Sequence, residues 1–210
     1  MQPQKRGRGR PAGSRVNPAE RRAALLDAAE RAIRAKGPAV GLTDIAAEAG
    51  FVRSAVYAMY PSREALLAAL SERTAARLLN EITRRAAGST DLRHRMALFF
   101  DVICGWIAAE PQIHRALSGD PASGVFEQLA AAVEAMLVSA FAGDTRGPAA
   151  APWSRAIVGS AVAAAEWWRR TGSMSRTDLV EHLTTLCWDG GAALPFLADD
   201  IESIDNGQMK

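Results

Sequence analysis

The chain has 210 residues, is 49% hydrophobic and carries a formal net charge of +2. This length and composition exclude a disordered or fibrous protein and allow a sizeable core. No apolar run reaches the ~20 residues that span a bilayer, and the two cysteines lack the clustering of a zinc or redox site. We therefore expect a soluble, cytoplasmic protein.

Charge is distributed unevenly along the chain. Residues 1–63 carry 12 Lys or Arg and 5 Asp or Glu, a net charge of +7, whereas residues 64–210 carry 13 and 18, a net charge of −5. The basic front indicates a polyanion-binding region, although a solvated basic tail would have the same charge. Residues 1–16 are rich in Gly and Pro and contain no acidic residue, so we predict a disordered basic arm.

Abundant alanine and turn signals at helix-length intervals predict an all-α fold of about nine helices. Asn17 and Pro18 begin the first helix, and Gly37 ends it. Thr43 is expected to cap the second helix, which ends at Gly50.

The third helix is predicted to run from about residue 53 to residue 60, with Val56 facing the core. Ser62 caps a long fourth helix that ends near Gly88, and about five helices follow. Ser175 caps the last of these.

The second and third helices, joined by a Gly-containing turn, fit the helix-turn-helix plan over LTDIAAEAGFVRSAVYAMY. In that plan the second helix enters the major groove and presents its N-terminal side chains, here Arg53, Ser54 and Ala55, to base edges. Arg53 suits guanine, and Ala55 suits the methyl group of thymine. Tyr57 and Tyr60 are placed for phosphate contact or for packing.

Residues 21–70 resemble the DNA-binding domain of the tetracycline-repressor (TetR) family of bacterial regulators. The matching features are LLDAAE, LTDIAAEAG, VY, an aromatic residue before Pro61, and SREALL. The resemblance implies a three-helix DNA-binding domain, which a fourth helix joins to a helical ligand-binding and dimerisation domain. The predicted divisions are a basic arm (1–16), a DNA-binding domain (17–62), a ligand-binding and dimerisation domain (63–194) and a loose C-terminal tail (195–210).

The same resemblance assigns phosphate contacts to Thr43, Tyr57 and Arg63. Two positions depart from the family pattern: Val52 stands where a Ser or Thr usually caps the recognition helix, and Met59 where a polar residue is common. Because a lost cap typically costs ~1 kcal/mol, we expect backbone affinity to depend more on the basic arm.

That arm contains RGRP, which resembles the core of an AT-hook. Arg8 and Arg10 would then enter a narrow A·T-rich minor groove. Simple attraction of phosphates by a basic tail explains the same residues, and the sequence leaves both possibilities open.

Large apolar side chains in the middle helices predict either an ordinary core or a ligand cavity between helices. The family resemblance favours a cavity, and the predicted lining suits an apolar or aromatic ligand with few charges. His114 is a candidate polar contact, although a lone histidine is more often structural. The candidate lining residues are Met96, Phe99, Phe100, Ile103, Trp106, His114, Phe126, Leu129 and Met136.

The last two helices are candidates for a dimer interface, because their stripes of small and apolar residues permit close helix packing. The candidate residues are Ala156, Gly159, Ser160, Ala163, Leu179, Leu183 and Leu186. The alternative is packing within one subunit. A dimer is favoured because one helix-turn-helix offers few base contacts, whereas a two-fold pair reads an inverted repeat.

The leading hypothesis is a homodimeric, sequence-specific transcriptional regulator, a repressor released from an inverted-repeat operator on the bacterial nucleoid by a small ligand. An architectural DNA-binding protein that relies on the arm is the alternative. A third class, an enzyme, is disfavoured because the sequence has no nucleophile–base or metal-ligand spacing. We accordingly expect no catalytic residue, metal or cofactor.

Overall fold

The computed structural model describes residues 17–118, 124–140 and 147–190. Over these ranges the chain forms nine α-helices and one short 3-10 turn, with no strand, which confirms the all-α prediction. The helices are α1 (Pro18–Lys36), α2 (Leu42–Ala49), α3 (Arg53–Met59), α4 (Arg63–Arg85), α5 (Leu92–Ala109), α6 (Pro111–Leu117), α7 (Val125–Ala140), α8 (Ala150–Thr171) and α9 (Arg176–Trp188). The basic arm with Arg8 and Arg10, and the predicted tail 195–210, lie outside the described residues.

Side-chain caps fix the starts of three helices, as predicted. The side chain of Asn17 accepts a hydrogen bond from the Ala19 amide at 3.0 Å at the start of α1. Ser62 caps α4 and Ser175 caps α9 in the same way, with amide–hydroxyl distances of 3.2 and 3.1 Å. These bonds satisfy amide groups that have no partner inside the helix.

Two helix boundaries differ from the prediction. The N-cap of α2 is Gly41 rather than Thr43, because Leu42 packs into the core and already belongs to the helix. The prediction that Thr43 caps this helix is therefore wrong. Helix α3 ends at Met59, and Tyr60 is extended because a residue that precedes a proline is sterically kept from the helical conformation.

Helices α1, α2 and α3 share one core, to which α1 contributes an apolar face. The apolar stripe on this face is at most 1% exposed and consists of Leu25, Ala28, Ala29, Ala32 and Ile33. Ile45 of α2 and Val56 of α3 are also fully buried in the same core. Val56 thereby anchors α3, whose opposite side faces outward.

Helix α5 is the centre of the larger domain and packs against α4, α6, α8 and α9, while α7 packs on α8 and α4. Its side chains Phe100, Ile103 and Ile107 are fully buried. Burial also raises the pKa of the Cys104 thiol to about 11. Cys104 therefore stays protonated and packs as a small apolar residue.

The two domains meet where α1 packs against α4 and α6. At this junction Glu30 of α1 is only 5% exposed. Its carboxylate accepts hydrogen bonds from Arg73 at 2.8 Å, from Arg34 at 3.2 Å and from Arg77. The contacts with Arg73 and Arg77 join α1 to α4, whereas Arg34 lies on α1 itself.

No single helix in the described ranges is long and apolar enough to cross a membrane. Helices α5 and α6 together have the length and apolar composition of a membrane span, but the chain bends by 102° between them.

Candidate DNA-binding surface and ligand cavity

Helix α3 presents a solvent-facing side next to its buried anchor. Arg53 and Ser54 are exposed, Tyr57 is 46% exposed and Ala55 is half-buried. The helix has no side-chain cap, as predicted, because Val52 occupies the N-cap position. The side chains proposed to contact bases are thus on the accessible face of a short helix.

The positive charge of Arg53 on this face has no ion-pair partner among the described residues. Within the described part of the chain Arg53 forms no ion pair, whereas neighbouring cations do. Arg31 contacts Glu48 at 2.8 Å, and Lys36 contacts Asp44 at 2.7 Å. The hydrogen bond and charge of Lys36 lower the pKa of the Asp44 carboxyl. Arg53 therefore remains available to an external anion or base edge.

Two of the predicted phosphate contacts have other roles. Tyr60 is 8% exposed and belongs to the core, and burial raises the pKa of its hydroxyl. The guanidinium of Arg63 donates to the carbonyl oxygen of Val40 at 3.0 Å and to that of Pro38. Arg63 thus holds the loop between α1 and α2. Of the two roles predicted for Tyr60, the structure therefore favours packing, whereas the phosphate contact of Arg63 stays a prediction.

Thr43, another predicted phosphate contact, is exposed in the first turn of α2. The structure adds two candidates that sequence reasoning did not single out. Arg21 and Arg22 are exposed near the start of α1 and make no ion pair with the residues that the structure describes. Their position next to the basic arm was the signal that could have identified them.

A cavity of about 280 Å³ lies between α5, α6, α7 and α8. Five of the nine predicted residues line it: Ile103, Trp106, His114, Phe126 and Leu129. The remaining wall consists of Leu117, Ser118, Gly124, Val125, Val162 and Glu166. The lining is mainly apolar and aromatic, with polar groups supplied by His114, Ser118, Glu166 and the indole N–H of Trp106.

The other four predicted residues do not line this cavity. Phe99 and Phe100 belong to the core, where their rings meet edge to face at 5.7 Å. Met96 packs against the same core, and Met136 is 59% exposed on α7. Because α5 is packed on several sides, its large side chains divide between core and cavity, and helical spacing alone does not separate the two.

The polar groups of the cavity are joined to one another. The Nε2 atom of His114 lies 2.8 Å from Oε1 of Glu166. The hydroxyl of Ser118 donates to the carbonyl oxygen of His114 at 2.8 Å. Trp106 packs edge to face on the His114 ring at 5.5 Å. Sequence reasoning missed Glu166, although it is an isolated acidic residue in the apolar stretch AVAAAEWW.

A second, smaller cavity of about 140 Å³ lies at the junction of the two domains. Trp106 lines both cavities, and the smaller one is completed by Arg34, Thr74, Arg77, Leu78, Glu110 and Ile113. The hydroxyl of Thr74 is buried there without a hydrogen-bond partner among the described residues. Trp106 is thus the residue that the two cavities have in common.

The candidate dimer residues fall into two groups. On α8, Ala156 and Ala163 are exposed and Gly159 and Ser160 are half-buried. On α9, Leu186 is 45% exposed. These residues leave a surface on which a second chain could pack.

Leu179 and Leu183 are only 4% and 6% exposed, because this side of α9 packs against α5 within the same chain. The prediction of an intersubunit role for these two leucines is therefore corrected in favour of packing within the subunit. In the described ranges no three His, Cys, Asp or Glu side chains are grouped as a metal site would require.

Two family models match the chain. The model described as "Bacterial regulatory proteins, tetR family" matches residues 25–70, and "Tetracyclin repressor-like, C-terminal domain" matches residues 119–202. The chain is also 24% identical over 180 residues to an uncharacterized HTH-type transcriptional regulator from two strains of Mycobacterium tuberculosis. That alignment covers 80% of this chain and 76% of the relative.

Solved structures share the fold at low sequence identity. A tetR-family transcriptional regulator from Streptomyces coelicolor has a TM-score of 0.64 at 22% identity, over 82% of this chain and 80% of that one. The fatty acid degradation regulator FadR from Bacillus halodurans has a TM-score of 0.62 at 17% identity, over 83% and 96%. FadR from Bacillus subtilis, solved in complex with stearoyl-CoA, has a TM-score of 0.55 at 15% identity, over 80% and 98%.

The helix-turn-helix and the C-terminal helical domain are thus each matched by a model of the same family, and the two matches together span more than half of the sequence. The chain belongs to the TetR family of bacterial transcriptional regulators.

Proposed function

We propose that this regulator is a homodimeric repressor that binds an inverted-repeat operator and is released from it by a compact apolar or aromatic ligand. The observation that carries the proposal is the position of α6. This helix lines the cavity through His114 and Leu117 and also packs against α1 of the DNA-binding domain. A ligand in the cavity therefore touches the element that supports the DNA-binding helices.

The DNA-binding step uses the exposed side of α3. Arg53 and Ser54 are proposed to contact base edges, with Ala55 against a thymine methyl group. Thr43 and Tyr57 are proposed to contact phosphates, with Arg8 and Arg10 of the arm adding affinity. Arg53 has no ion-pair partner among the described residues, unlike Arg31 and Lys36. This supports the assignment, since an arginine already bound to a carboxylate is less available to guanine.

The dimer is proposed to form through the exposed side of α8. Ala156 and Ala163 lie on that side between Trp153 and Trp167, which are 45% and 42% exposed. Leu186 and Trp188 of α9, each 45% exposed, extend the apolar surface. Tryptophan is enriched in protein–protein interfaces and small residues permit close helix packing, so this surface suits a second copy of the chain.

Release of DNA is proposed to pass through α6. Arg34 of α1 forms two hydrogen bonds with Glu110, which immediately precedes α6. A ligand that binds better when α6 is displaced would shift the population toward a state in which α1 and α3 are also moved. Two DNA-binding domains separated by a different distance would no longer fit both half-sites.

The ligand is proposed to be compact. Ligand pockets commonly enclose ~300–1,000 Å³, and the cavity here has about 280 Å³. The Bacillus subtilis FadR structure contains stearoyl-CoA, which is a long-chain thioester. The size of this cavity supports a shorter ligand than that.

The family is non-enzymatic, which supports a binding role rather than catalysis. The test of the proposal is a reconstituted transcription assay on a promoter that contains a selected binding site. We expect two chains per inverted repeat by light scattering and less transcript when the protein is added. A single chain on the full repeat, or more transcript with the protein, would reject the dimeric repressor.

A further inference from the structure

We propose that the ligand of the larger cavity is a compact aromatic or apolar amine whose ammonium group binds the carboxylate of Glu166. This inference rests on the proposed ligand-responsive function and specifies the chemistry of its site. It depends on the kind of polar groups that face the cavity, on the charge of its lining and on its size.

Apart from the indole N–H of Trp106, the polar side chains of the described cavity lining offer acceptors to a ligand. An ionised carboxylate only accepts hydrogen bonds, so the 2.8 Å contact between His114 Nε2 and Glu166 Oε1 places a proton on Nε2. The hydroxyl hydrogen of Ser118 is directed to the carbonyl oxygen of His114. Both donors are therefore used within the protein.

The second carboxylate oxygen of Glu166 makes no hydrogen bond to any residue that the structure describes. The glutamate side chain is 42% exposed and lines the cavity, whereas the histidine that holds it is 8% exposed. His114 thus orients the carboxylate from the buried side and leaves one oxygen for a donor on the ligand. A protonated amine is such a donor.

The charge of the described lining disfavours an anionic ligand. Among the described residues that line the cavity, Glu166 carries a negative charge and there is no Lys or Arg. A carboxylate or phosphate on the ligand would lie close to this carboxylate without a cation to balance it. An ammonium group gains from the same arrangement.

The aromatic walls add to this preference. Trp106 and Phe126 both line the cavity that contains Glu166. The faces of aromatic rings attract cations, by ~0.5–2 kcal/mol depending on solvent exposure. The apolar remainder of the wall, with Ile103, Leu129 and Val162, suits the hydrocarbon body of the ligand.

The experiment uses three probes with the same skeleton: 3-phenylpropylamine, 3-phenylpropan-1-ol and 3-phenylpropanoate. Their binding to the full chain is measured by isothermal titration calorimetry. We expect the amine to bind about tenfold or more tightly than the carboxylate, with the alcohol between them. Equal or tighter binding of the carboxylate, or no binding of the amine up to ~10 mM, overturns the proposal.

The variant Glu166→Gln removes the charge but keeps the size and an acceptor for His114. We expect it to weaken amine binding about tenfold and to change alcohol binding less than about twofold. The matched control is Glu81→Gln, because Glu81 is a glutamate on α4 outside the cavity, with a side chain 41% exposed, and its partner among the described residues is Arg84, three residues along the helix. Unchanged amine binding in Glu166→Gln, with both variants folded by circular dichroism, overturns the proposal.

Release of operator DNA by the amine and by the carboxylate is measured in a separate experiment. If the amine binds through Glu166 but leaves the operator complex intact, the ligand chemistry stands and release by ligand is rejected. If instead the carboxylate binds more tightly and releases DNA, the regulatory proposal stands and the amine assignment is rejected.

Discussion

Arg34 of α1 and Glu110 at the start of α6 form a two-point ion pair, with Nε–Oε2 at 2.8 Å and the second nitrogen–oxygen contact at 2.9 Å. The pair joins the DNA-binding domain to the helix that lines the ligand cavity. The hydrogen bonding that Arg34 donates to Glu110 is the main cause of a raised pKa for Arg34. We regard this contact as the connection between the two sites.

The first prediction concerns that connection. A double-mutant cycle of Arg34→Ala and Glu110→Ala should give a coupling of roughly 0.5–1 kcal/mol in urea unfolding, because the pair is partly exposed. The same variants should weaken the effect of a cavity ligand on operator affinity. The control cycle is Arg31 with Glu48, an exposed pair within the DNA-binding domain. If both cycles change ligand response equally, the link through α6 is wrong.

The second prediction is a pH dependence that arises from Glu30. Burial alone would raise the pKa of this carboxyl, but the hydrogen bonds and charges of Arg77 and Arg73 outweigh burial and lower it. Glu30 therefore stabilises the fold fully above its unfolded pKa of ~4.3 and loses this contribution as the pH falls through the lower folded pKa.

Substitution of Glu30 by Gln should accordingly destabilise the protein by roughly 1–3 kcal/mol at neutral pH. The difference from the wild type should shrink in acid, because the protonated glutamate has also lost its charge. Urea unfolding of both proteins across the acid range measures this. A difference that stays constant with pH would show that packing, not charge, is what Glu30 contributes.

The third prediction concerns the missing cap of α3. Val52 is at the N-cap, is 71% exposed and has an extended backbone that suits a cap. Val52→Ser should stabilise the protein by ~0.5–1 kcal/mol and tighten operator binding. Ala58→Ser, on an exposed position within the same helix, is the control and should be neutral or slightly destabilising. No gain from Val52→Ser in thermal unfolding would refute a role for the cap.

The fourth prediction concerns base recognition. Arg53→Ala should cost ~1–3 kcal/mol in operator affinity and relax the preference at one base pair of each half-site. The free energy of unfolding of this variant should change little, because Arg53 is exposed and has no ion-pair partner among the described residues. Arg31→Ala is the charge-matched control. Competition with operators altered at single base pairs distinguishes lost base contact from lost phosphate attraction, which would weaken all sequences equally.

The fifth prediction concerns the dimer. Ala163→Glu on the exposed side of α8 should produce a folded monomer, because it places a charge at the centre of the proposed interface. Ala131→Glu, on an exposed site of α7, should leave the dimer intact. Light scattering gives the mass and circular dichroism the fold. A dimeric Ala163→Glu protein would place the interface elsewhere.

Local signals predicted much of the fold from sequence. Caps such as Asn17 and Ser62 and the apolar stripe of α1 depend on residues within a few positions of one another, so their effect is visible in the sequence. The helix-turn-helix was recognised for the same reason. The assignment to the TetR family followed from that stretch and is confirmed by the family match.

The errors arose where a residue's partner is distant in sequence. Leu179 is buried by α5 of the same chain. Glu166 lies beside His114, 52 positions away. For a helix that packs on several sides, such as α5, helical period does not separate core-facing from cavity-facing side chains. The cavity was therefore predicted by type but only partly by residue.

The most direct test of the central claim is selection of genomic fragments by the purified full-length protein, at near-physiological salt and with excess competitor DNA, followed by sequencing. We predict enrichment of a few sites that share an inverted repeat, with half-sites that bind much more weakly than the whole repeat. Diffuse enrichment of A·T-rich DNA without a repeat would contradict the dimeric operator-binding account and favour an architectural role based on the arm.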